Sequence, residues 1–186
     1  MSTKFFNNTP GNTLFDKLKG IATNMASFER FLAVVGFFRS SGYFKLRKEL
    51  GDISEIKILV GINIDDIFRK HNKAVLMFGD SVKAKEIYET GFKEDIINSK
   101  YSPEVEAGII QMCEDLIDGR LQMRICADKN LHAKFYLCLP IEHSEHSDGW
   151  VVMGSSNISE SGLGLKQPPQ YELNVAMKDY DDVKYC

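Results

Sequence analysis

Apolar residues recur at helical spacing near the start of the chain. Leu14, Leu18, Ile21, Ala22 and Met25 share one face of a predicted helix, with Thr13 as its N-cap. The pattern then becomes an unbroken apolar run over residues 31–38, short, bulky and partly β-branched. Such a run predicts a strand buried on both faces. Arg39-Ser-Ser-Gly42 leads from it into a short helix through Tyr43, Leu46 and Leu50, closed by Gly51-Asp52. Residues 56–61 form a second buried strand. Strand, helix and strand in succession predict a βαβ unit.

Residues 81–97 carry a looser helical pattern. A clearer helix opens at Ser102-Pro103, with proline at the first helical position and Glu104 and Glu106 in the first turn. Val105, Ile109, Met112, Cys113, Leu116 and Ile117 form its apolar stripe, and Gly119 stops it. Beyond it, residues 121–127, 131–139, 150–154 and 171–177 read as strands, with a polar connector at 140–149. The expected architecture is α/β: a mixed β-sheet flanked by helices.

A chain of 186 residues fits one domain, 1–186, and can bury a core without disulfides or metal. The four cysteines, Cys113, Cys126, Cys138 and Cys186, lack the spacing of a zinc site or a redox pair, so they read as buried reduced thiols of a cytoplasmic protein. No apolar run is long enough to span a bilayer, and residues 1–9 are polar apart from Phe5 and Phe6, unlike a secretory signal. The net charge of −3 means that any polyanion must be held by a local patch rather than a basic surface.

Two short motifs carry candidate chemistry. On a strand over 131–139, His132 and Lys134 point to one face with Tyr136, while Leu131, Ala133, Phe135 and Leu137 point to a core. Alone, this pair also fits an edge strand facing water. At the end of the next strand come Gly154, Ser155 and Asn157, whose hydroxyl and carboxamide can donate to phosphate oxygens. Alone, these residues also fit a plain turn.

Together, His132-Ala-Lys134 and Gly154-Ser-Ser-Asn157 resemble the signature of the phospholipase D superfamily. The family often has a later acidic residue that hydrogen-bonds the histidine, and Glu172 stands in the matching place. One position departs: the family carries an aspartate where this chain has Leu139. Asp148, just ahead of the Gly154 strand, fits an inserted connector over 140–147. The order of strand, Arg39-Ser-Ser-Gly-Tyr43, strand, helices and motif strands resembles phospholipase D-like domains placed before bacterial helicase motors, although no Walker-type loop is present.

The resemblance implies a metal-independent phosphodiesterase without cofactors, most simply a nuclease acting on DNA. His132 would act as nucleophile or acid, Glu172 would fix its tautomer, and Lys134, Ser155 and Asn157 would hold the phosphate. Arg39, Ser40 and Ser41, at a strand end, are further candidates for substrate contact. The chemistry needs two imidazoles. His71-Asn-Lys73 lacks the accompanying strand and Gly-Ser-x-Asn, and His143 and His146 lie in the polar connector, so the second imidazole is expected from another copy in a two-fold dimer. The alternatives are a catalytically idle module that grips nucleic acid or dimerises a helicase, and, last, a phospholipid-cleaving enzyme. No amphipathic basic helix or hydrophobic hairpin suggests membrane contact.

Overall fold

A computed structural model describes residues 5–64, 102–126 and 131–186. Within them the elements run β1 (Phe5–Asn7), α1 (Leu14–Asn24), β2 (Arg30–Phe38), α2 (Ser40–Glu49), β3 (Glu55–Ile64), α3 (Pro103–Ile117), β4 (Leu121–Ile125), β5 (Phe135–Leu139), β6 (Trp150–Gly154), β7 (Leu173–Met177) and α4 (Tyr180–Val183). The expected helix over 81–97 and His71 lie outside the described residues. The local rules read from the sequence operate where expected. Thr13 and Asp16 form a reciprocal capping box at the start of α1, and Pro103 opens α3. Gly51 and Gly119 take positive φ after α2 and α3.

The sheet has seven strands in the order β1-β7-β6-β5-β2-β3-β4. The expected parallel β2–β3 pair is present and β4 extends it. The neighbours β2–β5, β5–β6, β6–β7 and β7–β1 are all antiparallel. The sheet is therefore mixed, as predicted, and its direction changes at β2–β5.

Alternation sorts side chains between the two faces. Phe31, Ala33 and Val35 of β2, with Ile56, Ile58 and Val60 of β3, form the main core beneath α1, α2 and α3. Tyr136 and Cys138 join that core, so Tyr136 is almost fully buried rather than part of a polar face. Leu137, Leu139 and Val151 form a smaller cluster on the other face with Val183 of α4.

Between α2 and α3, Asp115 is fully buried and accepts from Arg47 Nε at 2.6 Å and Nη2 at 3.1 Å. Arg120 Nη1 donates to it at 2.8 Å.

Several expectations are corrected. The strand expected at 131–139 begins only at Phe135; Lys134 O still accepts from Gly154 N at 3.2 Å, while Leu131 O approaches Gly36 and Gly61 near the ends of β2 and β3. A Cβ on Gly61 would lie 2.5 Å from Gly36 O and 2.7 Å from Leu131 O, so the crossing chain rides on backbone that only glycine leaves open. Ile117 is 47% exposed and falls off the α3 stripe, where Gly108 and Asp115 are buried instead. Gly108 is packed against the Phe44 ring. All four cysteines are free, but only Cys138 is buried; Cys113 and Cys126 are half-buried and Cys186 is exposed. Residues 5–7, too short for a periodic signal, form edge strand β1 against β7.

Candidate active site

The strand directions decide where the polar residues meet. β2 and β6 finish at the same end of the sheet at which antiparallel β5 and β7 begin. Lys134 precedes β5, Ser155 to Asn157 follow β6, Glu172 precedes β7, and Gly36 to Arg39 close β2. Residues far apart in sequence are thus gathered at one sheet end. That end also borders the change of strand direction, where open α/β sheets commonly carry their ligands.

Lys134 is the charged centre of this group. It is 7% exposed, and its Nζ donates to His132 O at 2.7 Å. The bond pins the main chain that carries the imidazole. Burial pushes the ammonium below the ordinary lysine range, and the negative Glu172 acts in the opposite direction. Lys134 Nζ and Asn157 Oδ1 each lie 3.4 Å from the position of the Cβ that Gly36 lacks. Gly36 thus leaves room for about one Cβ between the Lys134 ammonium and two acceptor oxygens, Asn157 Oδ1 and Leu131 O, the latter at 3.5 Å.

Asn157 is held by its own acceptor. Its Oδ1 takes the Phe37 backbone N–H at 3.1 Å, leaving its amide nitrogen free of hydrogen bonds among the described residues. Glu172, 5% exposed, accepts from Ser155 Oγ, and Ser155 Oγ in turn accepts from Leu173 N at 3.1 Å. Ser155 has one hydroxyl hydrogen, and in this arrangement Glu172 receives it.

Several positioning residues were not singled out in the sequence. Ser156 is fully buried, with its carbonyl accepting from Tyr136 Oη at 2.7 Å and its hydroxyl from Asn174 Nδ2 at 3.0 Å. Asn8 reaches from the β1 side to Ser161 O and Gly162 O at 3.2 and 3.1 Å. A Cβ on Gly162 would fall 2.3 Å from Asn157 O, and one on Gly42 would fall 2.6 Å from Ser159 Cα. The loop after β6 is thus clamped from three sides. The available signal was weak: Asn174 follows Glu172 at strand spacing, and Ser156 sits inside the motif itself.

The same packing explains Gly154. A Cβ there would meet Leu173 O at 2.4 Å as well as the Asn174 side chain. We expect Gly154→Ala to separate β6 from β7 and cost about 1–3 kcal/mol, measured as a lower urea midpoint. An unchanged midpoint would show that the two strands can part without penalty.

Of the remaining expected residues, His132 is exposed, and its ring makes no hydrogen bond to Glu172. Its side chain therefore does not share the buried environment of Lys134. Arg39 is half-buried, with its guanidinium 5.3 Å from the Phe37 ring centre and Nη1 donating to Phe38 O at 3.2 Å. Ser41 is exposed at the start of α2, whereas Ser40 is buried. His146 is exposed in the connector, while His143 packs against Tyr180 at 5.2 Å between ring centres. Asp148 lies just before the opposite end of β6 from Gly154, away from the polar group. No helix of the described residues is long and apolar enough to cross a membrane.

The sheet and its polar end define a mixed α/β protein with an ammonium, a carboxylate and a carboxamide gathered where β2, β5, β6 and β7 meet. No model of a known protein family and no curated protein matches the sequence. Among solved structures, the chain is similar to yeast tyrosyl-DNA phosphodiesterase, with a TM-score of 0.46 and 8% identity over 92% of this chain and 31% of that one. Two mutant forms of the yeast protein give TM-scores of 0.47 and 0.43 at 8% and 9% identity, covering 92% and 86% of this chain and 31% and 27% of theirs. The chain spans less than a third of the length of these proteins.

Proposed function

We propose that this chain is a metal-independent phosphodiesterase of phospholipase D type, acting as a nuclease on DNA. The observation that carries the reading is the buried Lys134 ammonium, fixed beside the Gly36 gap with Asn157 on its other side. A buried cation with no ion-pair partner among the described residues is costly unless an anion completes it. A phosphodiester oxygen is such an anion, and the free Asn157 amide nitrogen adds a neutral donor.

In this mechanism an imidazole attacks phosphorus, and an N–P bond forms as the P–O bond to the leaving group breaks. The leaving oxygen takes a proton from a second imidazole, which then removes a proton from the water that cleaves the N–P bond. His132 supplies one imidazole, and its exposure leaves it open to a second copy of the chain, which supplies the other in a two-fold dimer. Glu172 turns from Ser155 to the His132 ring N–H, and the released Ser155 hydroxyl joins Lys134 and Asn157 on the phosphate. A helicase motor in the same polypeptide would deliver the DNA.

The test is cleavage of supercoiled plasmid in excess EDTA. Nicking should persist without divalent metal and fall at least about 10³-fold in His132→Ala. One observation favours a second reading. Glu172 is engaged by Ser155 and not by His132, as in a module that binds nucleic acid without turning it over. DNA binding without nicking, unchanged by His132→Ala, would establish that module and end the nuclease proposal.

A further inference from the structure

A groove of about 420 Å³ runs beside α1, between that helix and the ends of β6 and β7 remote from the Lys134 group. Its volume falls within the range of small-ligand sites, roughly 300–1,000 Å³. On one side is the half-buried indole of Trp150, the only tryptophan in the chain. Lys17 Nζ and Lys178 Nζ lie 5.8 and 5.9 Å from the centre of this ring. Neither ammonium forms a salt bridge among the described residues. Two carboxylates line the same groove, but Asp16 is occupied in capping α1 through Thr13 N and Oγ1, at 3.1 and 2.7 Å, and Asp148 is exposed without an ion pair among the described residues.

Lys17 Nζ also lies 5.6 Å from the Phe6 ring centre, and each cation–π contact at an exposed site contributes only about 0.5–1 kcal/mol. A bound anion would give both ammoniums a charged partner in the groove they share. An anion attached to a flat aromatic group would also cover the indole, as bases do on the aromatic platforms of strand-binding proteins. We propose that this groove binds a nucleotide unit, with its base against Trp150 and its phosphate between Lys17 and Lys178. The unit has two sources, a free mononucleotide or a residue of a nucleic-acid strand. The groove is separate from the His132 region and does not depend on the proposed chemistry there.

Because Trp150 is the sole tryptophan, its fluorescence reports occupancy directly. The full chain carrying His132→Ala is titrated with dAMP, with a short single-stranded oligonucleotide and with inorganic phosphate, and equilibrium dialysis gives an independent affinity. Saturable quenching by dAMP or by the oligonucleotide is expected, weakened at least about tenfold in Lys17→Ala and in Lys178→Ala and lowered by added salt. Equal saturation by dAMP identifies a mononucleotide site, and saturation by the oligonucleotide alone identifies a strand site. Lys178 is exposed and Lys17 half-buried without a salt bridge among the described residues, so circular dichroism should match the parent in both variants. Absence of saturable binding, an affinity unchanged by both substitutions, or phosphate binding as tightly as nucleotide would each overturn the proposal.

Discussion

Lys134→Met is expected to slow DNA cleavage by about 10²–10³-fold, the loss typical of removing one preorganised donor from a developing oxyanion. Its thermal stability should stay close to that of the parent. The two effects separate because of where the ammonium sits. It is 7% exposed, donates among the described residues only to His132 O at 2.7 Å, and burial already pushes it towards the neutral form. Removing it takes away one backbone hydrogen bond but also an unfavourable desolvated charge, and methionine keeps most of the apolar stem. The net change should stay below about 1 kcal/mol, or within roughly 4 °C in Tm for a chain of this size. Arginine is no substitute, since its planar fork cannot take the place of a compact ammonium beside the Gly36 gap. Single-turnover nicking and a melting curve on the same preparation decide the matter. A variant that cuts normally shows that Lys134 does not touch phosphate. One that melts far lower shows that its role is to pin the chain.

Legibility followed the range of the interactions. The Thr13 cap, the Pro103 start and the turn glycines Gly51 and Gly119 depend on neighbours within a few residues, so they could be read directly. The central strands could also be read, because an apolar run such as 31–38 has few other uses. Lys134, Asn157 and Glu172 could be picked out by type and spacing, and strand direction brings their segments to one end of the sheet. The start of β5 could not be read. His132 and Lys134 follow strand spacing, but the chain there crosses over Gly36 and Gly61, which precede it by about 70 to nearly 100 residues. Tyr136 looked polar because its hydroxyl partner, Ser156 O, comes from another strand's loop. Asp115 could not be singled out from the α3 segment, since its partner Arg47 lies on a helix 68 residues earlier.

That buried pair yields the largest expected stability effect. Asp115→Ala should destabilise the fold by about 3–5 kcal/mol, lowering Tm by roughly 10 °C, because it leaves Arg47 charged, 7% exposed and without its two carboxylate bonds. The cost comes from stranding the guanidinium more than from losing attraction. Asp115→Leu combined with Arg47→Leu should therefore recover most of the loss, and a double variant as unstable as Asp115→Ala would refute this account. Acid provides an independent check. Burial alone would raise the Asp115 pKa, but the hydrogen bonds and charge of Arg47, helped by Arg120, outweigh it and hold the carboxyl below its ordinary value of 3.8. A carboxyl depressed on folding stabilises fully above its unfolded pKa, and that contribution disappears as pH falls through the folded value. Below about pH 4 the parent should therefore lose stability more steeply than Asp115→Asn, which has no proton to take up. Parallel acid-unfolding curves would show instead that the carboxylate charge contributes little to the α2–α3 junction.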